Sequence, residues 1–197
     1  MPKIVDPEGR RAEVADALFR LAVREGLHRV SLRTVAAEAG LNVGSVRHYF
    51  EGQAELMRFA MRTVIDRVSV RLARKVEALG DASGLSADER REKRVELLAE
   101  LLPLDETRRA EVTVFLEFVH AARTDPGLAD LASESARGTR ALVRRILAAL
   151  DPDEAEVLRL TALLDGLSLN GVLYPELWPA DEVLAVLRNH LEALDQT

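Results

Sequence analysis

The sequence predicts an all-α protein, and three observations carry that prediction. Apolar residues recur three and four apart through nearly all of the 197 residues. Prolines fall between those stretches, where a helix stops or starts. No run alternates polar and apolar residues long enough to make a strand; Val30 and Leu32 do so only briefly.

Element by element, the first helix spans Pro7–Glu25. Val14, Ala17, Leu18, Leu21 and Ala22 form its stripe, and Gly26 stops it. Residues 28–30 make a connector. Ser31 caps a short helix with Leu32, Val35, Ala36 and Ala39 on one face, and Gly40 ends it. Asn42 caps a further short helix over Val43–Tyr49, with Val46 and Phe50 facing inward. Glu51 and Gly52 break the chain. A long helix then runs from Gln53 toward Leu79, with Leu56, Ala60, Val64, Val68 and Leu72 in one stripe. Residues 80–87 are polar and contain Gly and Ser, so they predict a mobile loop. Five more helices are expected over about 87–102, 105–123, 128–150, 153–173 and 180–194, giving about nine in all.

Composition narrows the function. The absence of cysteine excludes disulfides and thiolate chemistry. No apolar run reaches the length of a membrane span, and residues 1–11 lack the apolar core of a secretory signal. A cytoplasmic protein without membrane contact is expected. Enzyme motifs are missing: no P-loop, GxGxxG, nucleophile elbow or HExxH. The histidines His28, His48, His120 and His190 show no metal-ligand spacing, and no cofactor is expected. The net charge of −6 conceals an asymmetry. Residues 1–75 hold fourteen basic and nine acidic residues; the remainder holds thirteen and twenty-four. A basic first third predicts an anionic partner there.

That third contains SLRTVAAEAGLNVGSVRHYFEGQAEL, residues 31–56. Two short helices joined at a glycine suggest a helix-turn-helix. Ala36 is small enough for the helix crossing, Gly40 tolerates positive φ at the turn, and Val46 anchors the second helix. Val43, Gly44, Arg47 and His48 then point outward. Arg47 suits guanine O6 and N7, Val43 a thymine methyl, and Gly44 a close backbone approach. His48 and Tyr49 suit bases or phosphate. Ser31, Thr34 and the start of the second helix suit phosphates, as does the uncharged Gln53.

VAAEAGLNVGSVRHYFEGQAEL resembles the DNA-binding domain of TetR/AcrR-type transcriptional regulators over about residues 10–60. The likeness lies in an Ala-Gly turn, a Gly-Ser step, Tyr-Phe, and a leucine following the start of the fourth helix. It implies double-stranded operator DNA as partner and contacts from Asn42, Ser45, Tyr49 and Gln53. Arg47 stands where tyrosine is frequent, which implies a different operator preference. Gln53 stands where a phosphate-binding lysine is usual, which implies one fewer ionic contact. LPLDETRRAEVTVFLEF and LLDGLSLNGVLYPELWP resemble the C-terminal domain of the choline-responsive repressors. That similarity implies a homodimer gated by a small-molecule effector. The expected division is a DNA-binding domain over 1–52 and a helical ligand-binding and dimerisation domain over 53–197.

Within the body, residues 155–173 are apolar almost all round, so one side is expected to meet a second chain. The last helix, with Leu184, Leu187, Leu191 and Leu194, is expected to join it. The homodimer interface is therefore placed at about 153–173 and 180–194, and two-fold symmetry suits a palindromic operator. Phe115 and Phe118 share a helix face that reads as core on pattern alone. The resemblance adds an effector site there, with Met57, Met61 and Ile65 lining it and His120 and Asn170 as polar contacts. Ligand binding is expected to shift the tilt of the long helix and so the spacing of the two reading heads. No separate activation segment is visible, so a repressor is expected. The alternative is a helical protein-interaction adaptor without DNA binding, whose association would not weaken steeply with salt.

Overall fold

Helix boundaries follow the caps. α1 (Pro7–Glu25) opens on a proline, whose missing N–H has no partner to lose in a first turn. It closes at Gly26 with φ +80°. α2 (Leu32–Glu38) and α3 (Val43–Tyr49) are capped by Ser31 and Asn42, and Gly40 between them adopts φ +67°. α4 (Gln53–Leu79) follows, then α5 (Ala87–Leu98), α6 (Glu106–Ala122), α7 (Pro126–Leu147), α8 (Glu154–Leu173) and α9 (Ala180–Leu194). The computed structural model describes residues 7–26, 29–79 and 84–196, and among them there is no strand. His28 of the expected connector and residues 80–83 of the expected loop lie outside the described residues.

Three boundaries differ from the expected ones. α5 ends at Leu98, and its last residues tighten into a 3-10 turn over Ala99–Leu101. α7 likewise ends in a 3-10 turn, Ala148–Leu150, closed by Asp151 at φ +47°. Pro126, expected as a stop, is the first residue of α7, the one helical position that suits it. Asp105 and Asp153 stand just outside their helices as caps. Their carboxylates accept from the Arg108 N–H at 2.8 Å and the Glu156 N–H at 2.6 Å.

The chain packs as two compact units. The first comprises the described residues up to Ile65 with Thr113–Ala132; the second comprises Asp66–Val112 with the described residues from Ser133 on. In the first unit α2 packs on both α1 and α3. Leu18, Val35, Val46 and Phe50 are fully buried there, as are Leu56 and Ala60 of α4 and Phe118 of α6. The Arg11 guanidinium lies 5.1 Å from the Phe50 ring centre and 5.0 Å from that of Phe59, and 3.6 Å from Glu55. This arginine joins the start of α1 to the end of α3 and the first turns of α4.

The second unit has its own core, including Leu98, Leu102, Leu147, Leu160, Leu164 and Leu187. Among its buried carboxylates are Glu100 and Glu111. An unpaired buried carboxylate would be costly, and Arg71 of α4 satisfies both. Its Nε donates to Glu100 at 2.7 Å, and its two terminal nitrogens donate to Glu111 at 3.1 and 2.7 Å. Burial alone would lower the Arg71 pKa; the bonds to Glu111 and Glu100 outweigh it and raise it. α8 lies so close to the segment after α5 that a methyl on Gly171 would sit 2.8 Å from Pro103 Cγ.

Candidate nucleic-acid interface

α3 is amphipathic over only seven residues. Val46 and the capping Phe50 point into the first unit and are fully buried. Burying that pair leaves Gly44, Arg47 and His48 exposed and Val43 half-buried. Tyr49 is half-buried, its ring edge-on to His48 at 5.2 Å and 75°. The outward set expected from the sequence is therefore brought together on one short helix.

The polar residues at the two helix starts are more committed than sequence alone suggests. Ser31 Oγ accepts from the Thr34 N–H at 3.1 Å. Thr34 Oγ1 in return accepts from the Ser31 N–H at 2.9 Å and donates to the Arg29 carbonyl at 2.7 Å. The single hydroxyl hydrogen of Thr34 is thus spent inside the protein. At α3, Asn42 Oδ1 accepts from the Ser45 N–H at 2.7 Å and from Ser45 Oγ at 3.1 Å. The Asn42 amide hydrogens have no partner among the described residues. A methyl on Gly44 would sit 3.2 Å from Asn42 Oδ1, so this glycine leaves room for the cap as well as for an approaching ligand. Gln53, at the start of α4, donates its amide to the Val30 carbonyl at 2.8 Å.

The electrostatics narrow further. Arg20 and Arg24 of α1 are both drawn to Glu38 of α2, at 3.0 and 2.8 Å. Those bonds, the one from Arg24 foremost, hold the Glu38 carboxyl below its usual range. Arg29, Arg33 and Arg47 are exposed and have no side-chain partner among the described residues. Sequence reading singled out Arg47 and passed over the other two. A signal was present: Arg33 has Val30 and Arg29 behind it and Ala36 and Ala37 ahead at helical spacing, so no acid is in reach. Three unpaired guanidiniums and a cap that keeps free donors suit a polyanion, with Arg47 able to present two parallel N–H groups to a base edge.

The expected effector residues are dispersed. Met57, Met61 and Phe118 are buried in the first unit, and Ile65 and Phe115 are half-buried there. His120 is exposed near the end of α6. Asn170 belongs to the second unit, where its amide donates to the Gly166 carbonyl one turn back at 2.8 Å. Among the described residues no group of His, Asp or Glu is arranged to hold a metal, and no helix is long and apolar enough to cross a membrane.

Comparison with known proteins places this geometry in context. Residues 14–58 match the family described as bacterial regulatory proteins, tetR family, and residues 90–196 match the BetI-type transcriptional repressor C-terminal domain. The HTH-type transcriptional regulator PksA of Bacillus subtilis is 33% identical over 98% of this chain and 94% of its own length. A transcriptional regulator from Rhodococcus sp. superposes with a TM-score of 0.81 at 29% identity, covering 98% of this chain and 97% of that one. The multidrug binding protein EbrR, solved with ethidium, superposes with a TM-score of 0.61 at 31% identity, covering 92% and 98%.

Proposed function

Because the chain belongs to the TetR family of bacterial transcriptional regulators, and is thus a ligand-responsive DNA-binding regulator rather than an enzyme, we propose the finer reading that it is a cytoplasmic repressor. It binds a palindromic operator as a homodimer and is released by a small molecule. Residues 1–52 are the reading head and 53–197 the sensing and dimerising body. The observation that carries the reading is the outward face of α3 with its exposed Arg47, set over a fully buried Val46 and Phe50, together with the exposed Arg29 and Arg33, all three arginines without a side-chain partner among the described residues.

In this reading Arg47 contacts a guanine, Val43 a thymine methyl, and Gly44 admits the DNA backbone. Asn42 donates through its free amide. His48, Tyr49 and the Ser31 and Ser45 ends of the caps contact phosphate or base edges, while Arg29 and Arg33 contact phosphates. Thr34 acts by shaping the start of α2. The effector site is apolar and lies in the first unit, among Met57, Met61, Ile65, Phe115 and Phe118. EbrR, which was solved with the flat aromatic cation ethidium, supports an aromatic-lined site. The exposed His120 and the self-engaged Asn170 are left out of it. Effector and operator oppose each other through the tilt of α4, with a coupling of about 1–3 kcal/mol.

Selection from random-sequence duplex DNA at low and moderate salt tests this. A palindromic motif is expected, and Arg47→Ala is expected to abolish its enrichment. The apparent affinity should fall with salt with a logarithmic slope of about −4, because each of two protomers presents Arg29 and Arg33 to phosphates. A folded, dimeric protein that enriches no motif would sink the proposal. A salt-insensitive association with protein instead would favour the adaptor.

A further inference from the structure

We propose that Gln53 is a positioning residue, fastening the first turn of α4 to the connector that holds Arg29 and Arg33 in place. The proposal rests on the DNA-binding reading above for its consequence, though not for the contact itself. Gln53 Nε2 donates to the Val30 carbonyl at 2.8 Å across 23 residues. The preceding carbonyl, of Arg29, accepts from Thr34 Oγ1 at 2.7 Å, and the following one, of Ser31, accepts from the Val35 N–H at 2.9 Å. Three successive carbonyls are therefore held, the outer two by α2 and the middle one by α4. Val30 is itself buried, whereas Arg29 before it and Arg33 after it are exposed.

The first turn of α4 is tied at its other side as well. Glu55 accepts from the Glu51 N–H at 2.7 Å and pairs with Arg11. One helical turn thus grips the segment before α2 and the break after α3. A displacement of α4 cannot leave Val30 behind without breaking the Gln53 bond, so it carries the two flanking arginines with it. An uncharged amide with one N–H held by a backbone carbonyl binds phosphate more weakly than an ammonium does, which separates this role from the ionic contact usual at this helix start. Effector response would then reach the DNA face through this hydrogen bond.

The test uses the full chain with two variants. Gln53→Met keeps the length and removes the donor; Gln53→Lys keeps a donor. Amide hydrogen exchange at residues 31–35 is measured in the free protein, and binding to a pool of short random-sequence duplexes is measured over a range of salt. Gln53→Met is expected to speed exchange about fivefold, the size one hydrogen bond supports. It should also weaken duplex binding without changing the salt slope, since no charge is removed. Gln53→Lys is expected to restore the slow exchange. Unchanged exchange with weaker duplex binding would make Gln53 a phosphate contact and overturn the proposal. Faster exchange with unaltered binding would leave the arginines independent of it, and no change in either would make the bond idle; both outcomes overturn it. If the wild-type chain bound no duplex at any salt, the DNA reading would fail, while the exchange comparison would still decide whether Gln53 holds Val30.

Discussion

Arg47 and Arg33 carry the same charge and should fail differently when removed. Arg47 lies on the outward face of α3, where a fork of donors can select guanine. Arg47→Ala should cost about 1–3 kcal/mol per half-site on the selected motif and little on scrambled duplexes. Arg33→Ala should weaken every duplex alike and flatten the salt slope by about one for each copy. Titrating both variants against motif and scrambled DNA separates the roles. Glu38 gives a pH prediction of definite sign. Its bonds to Arg24 and then Arg20 lower its folded pKa. The stabilisation is therefore present above the unfolded value of about 4.3 and is lost as pH falls through the folded one. Urea midpoints for wild type and Glu38→Gln should differ near pH 7 and converge on acidification. The difference will be modest, because the arginines are largely exposed and water screens the pair.

Helices and turns were legible where their cause was local. Ser31 and Asn42 cap the helices that follow them, and Gly26 and Gly40 take the positive φ that stops a helix. Each depends on a few neighbouring residues. The 3-10 endings of α5 and α7 were not legible, because no local residue distinguishes a tight last turn from a regular one. Glu100 and Glu111 were invisible for a different reason: their burial is permitted by Arg71, 29 and 40 residues away. Thr34 and Gln53 were legible as polar but not as already bonded within the protein, since Gln53's partner is the distant Val30. The glycines make a matched test at this scale. Alanine in place of glycine inside a helix gains about 1 kcal/mol by propensity. At Gly138 of α7 nothing lies within 4 Å of the added methyl, so Gly138→Ala should raise stability. At Gly171 the methyl meets the Pro103 ring, and overpacking of this kind costs about 1–3 kcal/mol. Gly171→Ala should therefore lower stability, and denaturant melts of the two variants should move in opposite directions.

For the whole molecule, the decisive feature is how α8 divides its apolar residues. Val157, Leu160, Leu164 and Leu167 are consumed by the core of the second unit. Leu158, Leu169 and Leu173 are 47, 45 and 54% exposed, and their spacing puts them on one face with Ala162 and Asp165. Three half-exposed leucines in a row are expensive to leave in water, and a second copy of the same helix would cover them under two-fold symmetry. α9 leaves less of its stripe free than the sequence suggests, because Leu187 and Leu191 are fully buried in their own unit. A charge at Leu187 would unfold that unit and reveal nothing about assembly. Leu169→Glu touches only the exposed face, so the chain should fold with unchanged helix content and sediment as a monomer. Operator affinity should then fall far more than affinity for scrambled DNA, because only the palindrome rewards two linked reading heads. A Leu169→Glu protein that still sediments as a dimer would place the two-fold axis on another surface, and the exposed leucines of α8 would then need a different partner.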